Sequence, residues 1–438
     1  MPDILRKSVF LVILSFLLAA CGTGGSPVPQ AEEEAAVPAD TATTAPGPTL
    51  TTTPRPVMTS EKSFQTGQYR NLFKEYLGRS ESEIRGKISA AWAQLFYGKN
   101  DFERVYYPVG EDMAYIMDIG NNDVRSEGMS YGLMIAVQLD KQEEFNRLWK
   151  WAKTYMFQDD GPYQGYFAWH CDSGGNQLAS NPASDGEEWF VTALYFASKR
   201  WGEGEGIFAY RAEADHILHT MRTKTAEDNG IATDMFDPEA KQVVFVPSGR
   251  NSTFTDPSYH LPAFYELWAL WAAEDSDFWS DAATESRAFF HRAADPQTGL
   301  MPDYAQFDGT PTGGEHEDFR FDAWRTLANV AVDFAWFGKD PWQSEQSNRV
   351  LDFLASQDID FYGNQFTLEG KPLSGDHSTG LVAMAGVATL AATPEIGKPF
   401  VQALWNVGIP QGTWRYYDGL LYFLAMLQVS GTFQAYSP

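Results

Sequence analysis

From about Phe64 onward, apolar residues recur at spacings of three and four, as in Leu133, Met134 and Val137 or Leu148, Trp151, Ala152 and Tyr155, and strand-like alternation is scarce. That period marks helices with a buried face. Two kinds of helix alternate along the chain. One kind is apolar or small all round and belongs in a core: residues 128–139, 189–197, 261–273, 323–337, 380–391 and 418–429. The other carries a charged face and belongs outside: residues 81–96, 141–156, 208–222, 278–293, 343–356 and 394–405. Six buried helices interleaved with six amphipathic ones predict an all-α fold, an (α/α)6 barrel of six inner and six outer helices. A less regular all-α domain fits the same pattern, since no strict repeat links the pairs.

The first sixty residues follow a different pattern. Arg6 and Lys7 precede an apolar run from Val9 to Ala20, too short for a membrane span but right for the core of a signal peptide. The run ends in Leu18-Ala19-Ala20-Cys21, which resembles a bacterial lipobox. Residues 1–21 are therefore expected to be a lipoprotein signal, with Cys21 acylated and several chains together forming a stable anchor. An ordinary secretory signal with an incidental cysteine would also take the protein out of the cytoplasm. Residues 22–62, rich in Pro, Thr, Ala and Gly, cannot bury enough apolar area to fold and read as a disordered linker. The catalytic domain would then occupy 63–438, exported and tethered to a bacterial membrane by its lipid alone.

Charge narrows the partners. Past residue 62 the chain holds 28 Lys or Arg against 52 Asp or Glu, a net of −24. Such a field repels phosphate backbones, so nucleic acid is excluded as a partner, whereas neutral substrates meet no penalty. Aromatic residues make up 15% of the chain, including 14 Trp. Flat rings suit stacking on sugar faces, although core packing absorbs most of them in any protein. Cys171 is the one thiol beyond the export segment, so no disulfide can form within that region. There is no HExxH motif, no clustered Cys and His and no phosphate-binding loop, which leaves metal and nucleotide chemistry without ligands.

Polar residues stand before the buried helices. Ser126-Glu127 introduces the first, Ser184-Asp185 the second, Asp256-Pro257-Ser258-Tyr259 the third, Arg320-Phe321-Asp322 the fourth and Asp376-His377-Ser378 the fifth. Any one of these could be a helix cap, because Ser and Asp accept from free backbone N–H groups there. If the inner helices all run the same way, however, the five groups converge on one mouth of the barrel. Glu127, Asp185 and Asp322 then supply the acid and the base that cleave a glycosidic bond, with no cofactor required. A carboxyl acting as the acid at a helix N-terminus needs burial or a second negative charge to raise its pKa against the dipole.

The stretch Asp118-Ile119-Gly120-Asn121-Asn122-Asp123-Val124-Arg125-Ser126-Glu127-Gly128-Met129-Ser130-Tyr131-Gly132 resembles the signature around the general acid of glycoside hydrolase family eight. Ala183-Ser184-Asp185-Gly186-Glu187-Glu188 resembles that family's second acidic motif and Phe321-Asp322-Ala323-Trp324-Arg325 its third. The resemblance runs from about residue 65 to the C-terminus, and it implies an (α/α)6 barrel and an inverting mechanism. It makes Glu127 the general acid and Asp322 the base that activates water. Asp185 would grip the sugar at the cleavage point, with Arg325 as its ion-pair partner, Tyr259 would hold the water and Trp169 would be a stacking platform.

Within that family, Pro257-Ser258-Tyr259-His260-Leu261-Pro262-Ala263-Phe264 and the long motif around Asn122 look most like the exo-oligoxylanases that release xylose from the reducing end. The resemblance places a loop histidine at the leaving-group side, and His377 stands where that loop is expected. The substrate would be a xylo-oligosaccharide. An endo-β-1,4-xylanase or endo-β-1,4-glucanase of the same family is the alternative, since exo-acting relatives are often cytoplasmic and this chain carries an export signal. A non-catalytic glycan-binding lipoprotein is a second alternative.

Overall fold

The computed structural model describes residues 62–227 and 230–437. The expected export signal, Cys21 and all of the linker but its last residue lie outside the described residues. After two short helices, α1 (Ser63–Thr66) and α2 (Leu72–Leu77), comes the first long helix, α3 (Glu81–Tyr97). Ser80 opens α3 with a reciprocal capping box to Glu83, satisfying two otherwise free backbone donors.

Five further pairs follow α3: α4 (Ser126–Gln138) with α5 (Gln142–Trp151), α6 (Ser184–Trp201) with α7 (Tyr210–Thr223), α8 (Pro262–Trp271) with α9 (Ser276–Ala293), α10 (Arg325–Trp336) with α11 (Trp342–Ser356), and α12 (Thr379–Ala388) with α13 (Pro394–Asn406). The last helix, α14 (Tyr417–Val429), packs on both α3 and α4. The even-numbered helices from α4 to α14 touch in sequence order and close into a ring, each backed by an odd-numbered one. This is the (α/α)6 barrel.

The division into inner and outer helices follows side-chain chemistry. Along α4 every residue except Glu127 is buried, and α12 is buried from Gly380 to Ala388. In α5, by contrast, Phe145, Leu148, Trp149 and Trp151 face inward while Glu143, Glu144 and Lys150 face out. Gly128 and Gly186, in the first turns of α4 and α6, let the inner helices meet at the mouth. A Cβ on Gly128 would come within 2.4 Å of the Tyr416 ring, and one on Gly186 within 2.5 Å of Ser126 Oγ.

Short strands supplement the barrel. β1 (Tyr106–Val109) and β2 (Met113–Ile116) form a hairpin, and β3 (Val124–Arg125), β4 (His170–Cys171) and β5 (Gln177–Ala179) form an antiparallel sheet. β3 runs directly into α4, and Ser126 N donates to Trp169 O at 2.9 Å, so Glu127 and Trp169 are fixed relative to each other.

Several boundaries depart from the sequence expectation. The second inner helix begins at Ser184 rather than 189, because its first turn is polar yet buried. The fourth is split into a 3-10 turn, Phe321–Trp324, followed by α10. The outer helix expected over 141–156 ends at Trp151 and continues as one wider π-helical turn, Ala152–Met156.

Candidate active site

All six inner helices point their N-termini at one groove of about 1090 Å³, lined by Glu127, Asp185, Tyr259, Asp322, Ser378 and Tyr416 among others. Helix capping does not explain these residues. No N-cap side chain of α4, α6, α8, α10, α12 or α14 makes a capping hydrogen bond. Glu127 and Asp185 are each the second residue inside their helix, and Asp322 lies in the 3-10 turn. Asp256 alone among the expected acids caps, accepting from Ser258 N at 2.7 Å.

Arg325 stands at the centre, 5% exposed. Its Nη1 donates to Glu127 Oε2 at 2.9 Å, to Asp185 Oδ2 at 3.1 Å and to the Tyr131 hydroxyl at 2.8 Å. Its Nη2 donates to Ser258 Oγ at 2.9 Å and lies 3.2 Å from Asp322 Oδ1. The guanidinium thus lies at ion-pair distance from Asp185, the partner expected for it from the sequence, and it also holds Glu127 and Asp322. Because one guanidinium touches both Glu127 and Asp322, their nearest oxygens are at most roughly 8.5 Å apart, compatible with the spacing of about 6.5–9.5 Å that leaves room for an attacking water.

The three acids differ in environment. Glu127 accepts from the Tyr416 hydroxyl at 2.8 Å, and its side chain keeps 16% exposure, so a bound sugar would complete its desolvation. Burial pushes its carboxyl up to about 7; Arg325 opposes the shift, and the charges of Asp322 and Asp185 add to it. That keeps a proton available near neutral pH, as a general acid requires. Asp185 is raised by burial, opposed by Arg325. Asp322 is the most exposed of the three at 31%, open to water, with Oδ1 lying 3.3 Å from the Tyr417 oxygen. The residue before it, Phe321, has a φ of 32°, a left-handed conformation that a bulky side chain rarely adopts. Tyr417 clamps this strained residue through its carbonyl at 3.1 Å.

The remaining expected residues also reach the groove. Tyr259 lies with its ring 5.6 Å from the Arg325 guanidinium. Trp169 lines the groove but stacks on His170 at 3.6 Å and 8°, so one of its faces is already taken. His377 is exposed, with Nδ1 2.9 Å from Tyr362 O; a carbonyl only accepts, so Nδ1 carries the hydrogen and Nε2 is left for a ligand. Sequence reasoning missed Tyr131, Tyr416 and Tyr417. The last two immediately precede or open α14, so extending the rule used for five inner helices to the sixth would have found them. It also missed Trp414, which is 73% exposed at the rim beside Gly120.

Comparison with known proteins agrees with this geometry. Residues 115–431 match the family model for glycosyl hydrolases family 8. The chain is 47% identical, over 86% of its length and 99% of the relative's, to the reducing-end xylose-releasing exo-oligoxylanase Rex8A of Paenibacillus barcinonensis. A solved structure described as a catalytic-mutant xylohexaose complex of a GH8 xylanase from Teredinibacter turnerae superposes with a TM-score of 0.82 at 46% identity, covering 86% of this chain and all of the other. Endoglucanase 2 of Ruminiclostridium josui is more distant, 26% identical over 82% of this chain and 74% of its own. The chain is a glycoside hydrolase and belongs to glycosyl hydrolase family 8.

Proposed function

We propose that this protein hydrolyses β-1,4-xylo-oligosaccharides with inversion, releasing xylose from the reducing end. The observation that carries the reading is the Glu127–Arg325–Asp322 constellation: an acid raised to about 7 and a partly exposed base held by one guanidinium at the floor of a groove large enough for several sugar rings. Glu127 gives its proton to the leaving glycosidic oxygen as the bond to the anomeric carbon breaks. Water forms the new bond from the opposite face and passes a proton to Asp322. Glu127 ends ionised and Asp322 protonated, and exchange with solvent resets both. Tyr259 borders this cluster, where its hydroxyl can hold the water. His377, with Nε2 free, would hydrogen-bond the reducing-end xylose and block longer chains, as the similarity to reducing-end exo-oligoxylanases supports.

A second reading is endo-xylanase action, favoured by the likeness to the Teredinibacter turnerae xylanase that carries xylohexaose. Chromatography of products from xylotriose, xylohexaose, polymeric xylan and carboxymethyl cellulose separates the two. Xylose accumulating from oligomers while xylan stays viscous supports exo action; short mixed oligomers with rapid viscosity loss support endo action. No products from the wild type, with sugar binding unchanged in Glu127→Gln, would leave only a glycan-binding role.

The Leu18-Ala19-Ala20-Cys21 sequence supports an exported, lipid-anchored protein. Metabolic labelling with a radioactive fatty acid tests this: label retained in Cys21→Ser would defeat the anchor, and loss of label supports it.

A further inference from the structure

The turn that brings Tyr259 into the groove is held from several sides. Asp256 accepts from Ser258 N, Arg325 donates to Ser258 Oγ, and Asn329 Nδ2 donates to Ser258 O at 2.7 Å. The carbonyl of Tyr259 itself lies 3.1 Å from the Tyr265 hydroxyl, and that hydroxyl also touches Oε1 of Glu188. Tyr265 and Glu188 are both fully buried, on α8 and α6.

Counting hydrogens decides the state of this chain. A phenol carries one hydrogen, and a carbonyl can only accept. If Tyr265 donates to Tyr259 O, a hydrogen from Glu188 completes the contact with Glu188, whereas one phenol hydrogen shared between both acceptors would serve each poorly. An ionised Glu188 would instead take the phenol hydrogen, leaving the Tyr259 carbonyl against an oxygen lone pair in a dry interior. Among the described residues Glu188 Oε2 has no hydrogen-bond partner, a condition that a neutral acid bears far better than a buried carboxylate. Burial, above all, also raises the Glu188 carboxyl well above its ordinary range. The titratable groups facing it are Tyr265 from α8, Asp185 and Glu187 on its own helix, and Arg325 from α10.

We infer that Glu188, as a neutral carboxylic acid, is a positioning residue: it turns the Tyr265 hydroxyl toward the Tyr259 carbonyl and so sets the Tyr259 side chain in the groove. Glu188 touches no substrate and acts only through Tyr265. The inference rests on the xylo-oligosaccharide reading for its kinetic consequence, but not for its protonation state.

The test compares wild type, Glu188→Gln, Glu188→Leu and Tyr265→Phe, each checked for folding by thermal melting. On xylohexaose, Tyr265→Phe is expected to lower kcat roughly 10- to 100-fold with little change in KM, the mark of a misplaced group at the reacting centre. Glu188→Leu lowers kcat less, because the phenol keeps its hydrogen but loses its orientation. Glu188→Gln keeps a donor toward Tyr265 and restores most of the rate. Infrared difference spectra of wild type against Glu188→Gln should show a protonated-carboxyl stretch in the wild type alone. Absence of that band overturns the inference, as does wild-type kcat in both Tyr265→Phe and Glu188→Leu. Failure of wild type to cleave xylohexaose would sink the proposed substrate instead, and the infrared result would still decide the state of Glu188.

Discussion

Two buried arginines organise two clusters of acids in this barrel, with opposite outcomes. Arg287, on outer helix α9, bonds Asp333 through both Nε and Nη2 at 2.7 Å and Glu266 through Nη1 at 2.7 Å. Lys339 completes Glu266 at 2.7 Å, and Gln343 adds a bond to Asp333 at 2.6 Å. Two cations there meet two anions, and the cluster ties α8, α9, α10 and α11 together. At the mouth Arg325 faces three carboxylates, with bonds of 2.9–3.2 Å to them. The difference lies in charge balance and not in residue type. A matched cluster is a strut, because every charge is neutralised where it sits. At the mouth burial raises the Glu127 carboxyl to about 7, and the acidic excess of Asp322 and Asp185 adds to a shift that Arg325 opposes incompletely.

Neutralising the acidic excess at the mouth has the largest expected effect. Glu127→Gln and Asp322→Asn each are expected to lower kcat on xylo-oligosaccharides roughly 1,000-fold or more, within the range for losing an acid or base. Stability should move the other way in Glu127→Gln. A carboxyl raised in the folded state contributes stability below its unfolded pKa and loses it as pH rises through about 7. Above that pH the glutamine variant is expected to melt at or above the wild-type temperature; a clearly lower melting point would show that Glu127 is a strut after all.

The next test acts on the matched cluster. Among the described residues, Arg287→Ala leaves buried Asp333 with no cation and Glu266 with Lys339 alone, and is expected to cost about 3–5 kcal/mol in urea unfolding, the usual result of removing one partner of a buried pair. Arg325→Ala should cost less stability, because Asp322 is partly exposed and Glu127 and Asp185 can take up protons, yet it should abolish activity. Equal stability losses from the two substitutions would erase the distinction.

Much of this was legible in the sequence, and the reasons are specific. The twelve-helix alternation showed because inner helices such as α12 carry almost no polar residue while outer ones such as α5 have a charged face. Glu127, Asp185 and Asp322 stood out because carboxylates open helices that are otherwise apolar. What stayed hidden depends on contacts between distant segments. Tyr416 reaches Glu127 across 289 positions of chain, and Arg325 reaches it across 198. Spacing within one helix could not show that Arg325 serves three acids at once. The early start of α6 was missed because Glu187 and Glu188 look like surface residues, and only the fold shows them buried in the core, where desolvation raises both carboxyls well above their ordinary range.

The pH profile reports the same charge imbalance on a smaller scale. Glu127 must carry its proton to act, so kcat/KM is expected to fall about tenfold per unit as pH rises above about 7. A flat profile to pH 9 would mean that Glu127 is not the acid. Tyr416 offers a finer control, because its hydroxyl donates to Glu127 and favours the ionised form. Tyr416→Phe removes that donor and leaves burial unopposed at Oε1, so the alkaline limb should move upward by about half a unit to one unit. The direction is the informative part. Were the limb to move down instead, desolvation by the Tyr416 ring would outweigh its hydrogen bond, and the raised acid at the mouth would owe more to that ring than to the uncompensated charges around Arg325.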